Sequence, residues 1–270
     1  MIGLLYVCAT PIGNLEDITL RALRILKESD LIAAEDTRQT KILLNKYEIA
    51  TPLTSYHKFN IKEKTDYLIE TIKSGKSVAL VSDAGTPGIC DPGHELIKAA
   101  IENNITVVPI PGPSAIITAL SISGISSDNF VFYGFIVKET IELIKNENRT
   151  AIFYEAPHRI IDTLKKLLEV LGDRNISICR ELTKKFEEVY HGKISEVLSK
   201  VKAKGEFVIV VEGSSCQIPA CLPARQVSSN IEVLANELID HGISRKDAAK
   251  ILSKHLEISK NKIYKSSLKK

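Results

Sequence analysis

The chain has 270 residues, of which 44% are hydrophobic and 26% charged, an ordinary globular balance with length for one large domain or two. It has no Trp and a single Met, which argues against an aromatic cage or a Met-rich surface, and no apolar run approaches membrane-spanning length. The net charge of +3 is unevenly spread: residues 241–270 carry nine Lys or Arg against Asp247 and Glu257, a net of +7, which leaves −4 on the remainder.

The apolar run Met1–Val7 has no basic leader and reads as a first strand rather than a signal peptide. Strands are then expected over Leu4–Ala9, Asp30–Ala34, Pro52–Tyr56, Ser77–Ser82 and Ile105–Ile110. Amphipathic helices fall between them, over Thr19–Glu28, Thr37–Tyr47, Ile61–Ser74 and Gly93–Asn103. Continuous Val/Ile/Leu runs that alternate with helices argue for a mostly parallel sheet covered on both faces. The turn Pro111-Gly112-Pro113-Ser114 ends this unit, because proline fixes φ and removes a backbone donor. A second α/β unit follows: helix Ser114–Ser123, strand Phe130–Phe135, a short helix, strand Thr150–Tyr154, helix Arg159–Leu171, strand Ile176–Arg180, a helical run Lys193–Val201 and strand Glu206–Val211. The stretch Ser214–Pro223 has no helical period and carries two prolines, so it reads as a linker. Beyond it, Gln226–His241 is spaced as a helix. Ser244 and Ser259 are placed to cap two more, Arg245–His255 and Lys260–Leu268, in a helix-turn-helix hairpin. The domain reading is therefore 1–112, 113–213, a linker over 214–225 and a basic helical module over 226–270.

Five cysteines, Cys8, Cys90, Cys179, Cys216 and Cys221, include no C-x-x-C pair. Neither a disulfide framework nor a zinc site is expected, and no metal ligands are assigned. Cys8 and Cys179 lie in apolar runs and read as buried small hydrophobes. This usage fits a reducing cytoplasm.

The densest chemistry sits where strands end. Ser82–Gly93 reads S-D-A-G-T-P-G-I-C-D-P-G after a buried strand, and ligands of open α/β sheets bind outside the carboxyl ends of strands. Other strand-end loops are Thr10–Asn14, Ala34–Arg38, Pro111–Ala115, Phe153–Arg159 and Arg180–Lys184. No G-x-G-x-x-G fingerprint or G-x-x-x-x-G-K-[ST] phosphate loop is present. Arg38, Arg159 and Arg180 have the planar forks that bind phosphate, and they are equally placed to pair with Glu35, Glu155 or Glu181. The +7 tail suits a polyanionic partner as well as it suits a solvated helix.

Seven ordered blocks carry a resemblance. They are A-T-P-I-G-N-L-E-D-I-T (Ala9–Thr19), A-A-E-D-T-R (Ala33–Arg38), L-V-S-D-A-G-T-P-G-I-C-D-P-G (Leu80–Gly93) and P-I-P-G-P-S-A (Pro109–Ala115). With them go I-F-Y-E-A-P-H-R (Ile152–Arg159), R-E-L-T-K (Arg180–Lys184) and K-G-E-F-V-I-V-V-E-G (Lys204–Gly213). Over essentially its whole length the chain resembles ribosomal RNA small subunit methyltransferase I, a branch of the tetrapyrrole-methylase superfamily. The resemblance implies a two-domain α/β fold of class III methyltransferase type, distinct from the Rossmann type, with S-adenosylmethionine in the cleft. It also implies a homodimer that methylates the ribose 2′-hydroxyl of a cytidine in the decoding region of 16S rRNA in the small ribosomal subunit.

By motif position, the resemblance points to Pro11, Asp83, Ala84, Gly85, Thr86, Ile89, Ser114, Ala115, Glu155 and Leu182 as cofactor contacts. Asp36 or Glu181 is the expected proton acceptor. Arg38 and Arg159 are expected on RNA phosphates, joined by Arg245, Lys246 and Lys262 of the tail. Tetrapyrrole-type relatives carry G-D-P where this chain has Gly85-Thr86-Pro87, which argues against a porphyrin-like substrate. Relatives also carry a longer basic loop after the G-F at Gly134-Phe135. Here Ile136–Asn148 is short and sets Lys138 and Lys145 against Glu139, Glu142 and Glu147, so if that loop helps hold RNA the expectation is weaker binding or a greater dependence on the tail. Two other readings stay open at this point, a tetrapyrrole-type small-molecule methyltransferase and a non-catalytic nucleic-acid-binding protein.

Overall fold

A computed structural model describes residues 3–214 together with Ser244 and Lys246. The expected linker beyond residue 214, the helices of the basic module, Cys216, Cys221, Arg245 and Lys262 lie outside the described residues. Residues 1–215 form one compact unit that holds two sheets.

The first sheet is parallel throughout, in the order β3-β2-β4-β1-β5, from β1 (Leu5–Cys8), β2 (Leu31–Ala34), β3 (Leu53–Ser55), β4 (Val78–Val81) and β5 (Val107–Ile110). The central strand β4 is buried at every position, which accounts for its unbroken apolar sequence. Crossovers α1 (Leu20–Glu28) and α2 (Thr37–Lys46) cover one face with Ala22, Leu26, Leu43 and Leu44. Helices α3 (Ile61–Lys73) and α4 (His94–Glu102) cover the other with Leu68, Ile72, Leu96 and Ala100. Local chemistry starts the helices where the strands end. The Thr19 hydroxyl oxygen accepts the Ala22 N–H at 3.1 Å before α1, and the Asp36 carboxylate accepts the Arg38 N–H at 2.8 Å before α2. The chain leaves β1 toward β2 and leaves β4 toward β5, so two neighbouring strands send their connections to opposite sides. That divergence opens a crevice at their carboxyl ends.

After Pro111–Ser114, α5 (Ala115–Ile122) leads into the second sheet. Its strands are β6 (Phe130–Phe135), β7 (Thr150–Glu155), β8 (Asn175–Arg180), β9 (Glu188–Lys193) and β10 (Phe207–Val211), in the order β6-β7-β10-β8-β9. β6 and β7 are parallel, whereas β10 runs antiparallel to β7 and β8, and β9 antiparallel to β8. α6 (Lys138–Leu143) follows β6, and α7 (Ile160–Leu171) and α8 (Ile194–Leu198) pack Leu164, Leu167 and Ile194 on one face. α5 packs Ile116, Ala119 and Leu120 on the other, against Ile152, Cys179 and Val210, and Ile12 and Leu182 join that cluster. Cys8 and Cys179 are buried.

Two features of this sheet depart from the sequence reading. β9 was not expected, because E-V-Y-H-G-K is half-exposed along an edge and presents no apolar run. The helix expected over 193–201 is the five-residue α8, since Lys193 still belongs to β9.

Candidate active site

The loops after β1 and β4 are clasped by a pair of main-chain bonds. The Thr10 N–H donates to the Gly85 carbonyl at 2.8 Å, and the Gly85 N–H returns a bond to the Thr10 carbonyl at 3.0 Å. The Thr10 hydroxyl adds a bond to the Ser82 carbonyl at 3.1 Å. Gly85 holds φ +74, a left-handed conformation that side chains disfavour. Farther along the same loop Cys90 adopts φ +63 without being glycine, the kind of backbone strain that collects at functional sites.

These loops border a cavity of about 650 Å³ between the carboxyl ends of the first sheet's strands and the face of the second sheet that carries Phe132, Tyr154 and Val208. The volume is in the range of small-molecule and cofactor sites. The third loop contributes Ala84, Gly85, Thr86 and Ile89 to the lining, the start of α5 contributes Ser114 and Ala115, and the second sheet contributes Glu155 and Leu182. All eight are among the residues expected at the cofactor. Pro11 is buried beside the cavity-lining Ile12 and does not itself line it. Asp83 also stands off the lining, where its carboxylate accepts the Asp36 N–H at 2.9 Å.

Neither expected proton acceptor lines the cavity. The Asp36 carboxylate caps α2 and takes two bonds from the Arg38 guanidinium, at 3.1 and 2.6 Å. Those bonds and the Arg38 N–H hold its carboxyl down to about 2. Glu181 sits at φ +51 and accepts the Glu206 N–H at 2.9 Å and the Lys184 ammonium at 3.1 Å. Burial works to raise its carboxyl, and these partners leave it lowered on balance.

A third carboxylate does line the cavity. Asp91 is half-buried two residues before Gly93, and its carboxyl is pushed up to about 6. Burial is the largest cause, followed by the charge of Glu35; a hydrogen bond from the Ser82 hydroxyl opposes them, and Asp83 adds a smaller repulsion. Glu35 is itself raised, by burial first. Across the cavity Tyr154 is pushed up to about 12 by burial and by its proximity to Cys90 and Asp91. Asp91 belongs to the motif that stood out in the sequence, and only the folded loop distinguishes its carboxylate from that of Asp83.

The arginines are committed in different ways. Arg159 donates to the buried Glu155 carboxylate at 2.8 Å and to the Ile136 carbonyl, and the Thr163 hydroxyl and the Ala156 N–H also bond Glu155. Arg180 is buried and pairs with Glu188 at 3.1 Å rather than with Glu181. The Arg38 side chain remains 87% exposed despite its pair with Asp36, and Lys246 is exposed.

The family model described as Tetrapyrrole (Corrin/Porphyrin) Methylases matches residues 4–198. Ribosomal RNA small subunit methyltransferase I of Bacillus subtilis (strain 168) is 47% identical over 269 residues, covering 96% of this chain and 90% of that protein. The protein of the same name from Halalkalibacterium halodurans is 51% identical over 221 residues, covering 78% of this chain and 76% of that one. The chain belongs to the ribosomal RNA small subunit methyltransferase I family. It is thereby a methyltransferase of the tetrapyrrole-methylase group, and the cavity falls within the matched span except for its wall from Glu206 to Val208. Solved structures agree on the fold. A diphthine synthase superposes with a TM-score of 0.65 at 16% identity, covering 80% of this chain and 92% of that one. Uroporphyrin-III-C-methyltransferase from Thermus thermophilus superposes with a TM-score of 0.58 at 19% identity, covering 77% and 94%. In this methyltransferase, residues missed at the level of sequence also line the cavity: Asp91, Phe132, Phe135 and Tyr154.

Proposed function

We propose that the chain transfers a methyl group from S-adenosylmethionine to the ribose 2′-hydroxyl of a cytidine in the decoding region of 16S rRNA. The observation that carries this reading is the cavity, whose walls come from the loops of the family motifs and whose lining includes Asp91, with its carboxyl pushed up to about 6.

The residues present fit the cofactor. Apolar walls from Ile12, Ile89 and Leu182 suit a flat heterocycle. Ser114 provides no side-chain cap to α5, so the first turn of that helix, which lines the cavity, offers its N–H groups to a carboxylate. The proposed contacts are Ala84, Gly85, Thr86, Ile89, Ser114, Ala115, Glu155 and Leu182, with Pro11 and Asp83 supporting the loops. When bound, S-adenosylmethionine supplies a methyl on sulfonium, an already activated leaving group. The protein then has to place the ribose oxygen in line and take its proton. Placement supplies much of the rate. Asp91 would take the proton of the ribose 2′-hydroxyl while the carbon–sulfur bond breaks and the neutral thioether leaves, and an acceptor pushed up to about 6 is ionised at neutral pH while still basic enough for the task. Asp36 and Glu181 serve in this reading to hold the surrounding loops.

Arg38, Arg245, Lys246 and Lys262 are proposed on RNA phosphates; Arg159 acts chiefly through Glu155. The protein is taken to work as a homodimer in the cytoplasm on the small ribosomal subunit. Calorimetric titration of S-adenosylmethionine, paired with mass mapping of rRNA from cells lacking the protein, tests the proposal. One missing ribose methyl is expected; intact ribose methylation, or no cofactor binding by folded protein, overturns it.

A further inference from the structure

β6 is an edge strand, and its ladder with β7 slips between Phe132 and Phe135. Phe132 pairs with Ile152 and Phe135 with Tyr154, so three steps along β6 match two along β7. Gly134 supplies the extra residue at φ +73. Strand side chains alternate faces, so an unbroken β6 would send Phe132 and Phe135 to opposite sides. The bulge cancels that parity. Both rings now meet Tyr154 edge-on, with centroids 5.0 Å away for Phe132 and 5.6 Å for Phe135, and all three line the cavity. Phe135 is 57% exposed, whereas Phe132 and Tyr154 are half-buried.

From this geometry we infer that Phe135, backed by Tyr154 and Phe132, is the seat on which the base of the methylated nucleotide stacks after leaving its own stack in the RNA. The inference rests on the proposed RNA methyl transfer and names the part of the site that holds the acceptor's base. Tyr154 lies close enough to Asp91 to feel its charge. Asp91 and the Tyr154–Phe135 wall line the same cavity, and Cys90 beside Asp91 lies against Gly134 of β6, its Sγ 3.4 Å from where a side-chain carbon would stand, so a ribose hydroxyl brought to Asp91 leaves its base within reach of the exposed Phe135 ring. Unstacked bases of RNA loops and ends are commonly taken up on aromatic side chains, with little regard to sequence.

The test uses the full chain, S-adenosylmethionine with a labelled methyl, and small ribosomal subunits from cells lacking the enzyme. Phe135→Ala is expected to raise KM for the subunits about 10- to 100-fold, following base–aromatic stacking, and to leave cofactor affinity unchanged by calorimetry. Phe135→Trp is expected to restore KM, and Phe135→Leu, which keeps the apolar bulk and loses the ring, is not. Unchanged KM in Phe135→Ala, full activity in Phe135→Leu, or a parallel loss of cofactor affinity overturns the seat. So does a change of oligomeric state by sedimentation in Phe135→Ala, which would assign the ring to an interface between copies. Absence of methyl transfer by the wild-type protein is a separate outcome: it removes the functional reading and the seat with it.

Discussion

Thr10 and Gly85 face each other at the cavity border and exchange two main-chain hydrogen bonds, 2.8 and 3.0 Å long. Loops that are 75 residues apart in sequence are thus set by backbone, and the position of Thr86 and Ile89 follows from the φ of one residue.

Gly85→Ala forces a side chain into φ +74, although the space around it is ordinary, with Ile12 Cγ2 at 3.6 Å from the added carbon. The cost is conformational, about 1–2 kcal/mol. The expected outcome is a lower denaturant midpoint with weaker cofactor binding in calorimetry. Unchanged affinity would show that the clasp does not set the cavity.

Asp91→Asn is expected to lower turnover about 10²- to 10⁴-fold with little change in cofactor affinity, as loss of a general base does. In the wild type, single-turnover rate should rise with pH through a midpoint near 6, because the carboxylate must be ionised to accept a proton. A rate independent of pH between 5 and 7 would exclude Asp91 from this role.

The same substitution has a stability consequence. Asp91 binds its proton more tightly in the folded chain than its ordinary value of 3.8, so ionising it costs stability as pH rises toward about 6. Below roughly pH 4 the cost is absent. The Asn variant should therefore exceed the wild type at pH 8 by about 1 kcal/mol, allowing for partial solvent screening, and match it near pH 4. Urea midpoints at the two pH values check this.

Asp36→Asn and Glu181→Gln should keep turnover within about threefold, far short of the loss expected on removing a base. Their carboxylates are held by Arg38 and by Lys184 with the Glu206 N–H, away from the cavity. The expected effect is on thermal stability. A loss of turnover in Asp36→Asn with its acidic limb abolished would instead place the base there.

The basic tail is tested by charge. The double substitution Lys246→Glu, Lys262→Glu should weaken RNA binding, and the slope of log affinity against log salt should shrink by about 0.7 for each single-strand phosphate that is no longer neutralised. Cofactor affinity should stay unchanged. Equal affinity and slope in the variant would assign the tail a different task.

Much of this was legible in the sequence. The first sheet's strands are buried on both faces and so announce themselves as apolar runs, β4 most clearly. The third loop stood out because turns rich in Gly, Pro and Asp follow such a strand. β9 was hidden because an edge strand needs no apolar period. Phe135 was hidden by parity, since alternation along β6 puts it opposite Phe132 until the bulge is known. Asp91 was passed over because its environment is made by Glu35, Ser82 and Asp83, which come from other loops or other parts of the same loop.

The slip at Gly134 reaches beyond the ring it re-aims. β6 forms the outer margin of its sheet, and a straight margin displays a regular row of unpaired amides on which a strand from another molecule can grow. The kink breaks that row midway. Replacing Gly134 with a β-branched residue would straighten the margin, and precipitation on concentrating the protein would accompany the loss of Phe135 from the cavity.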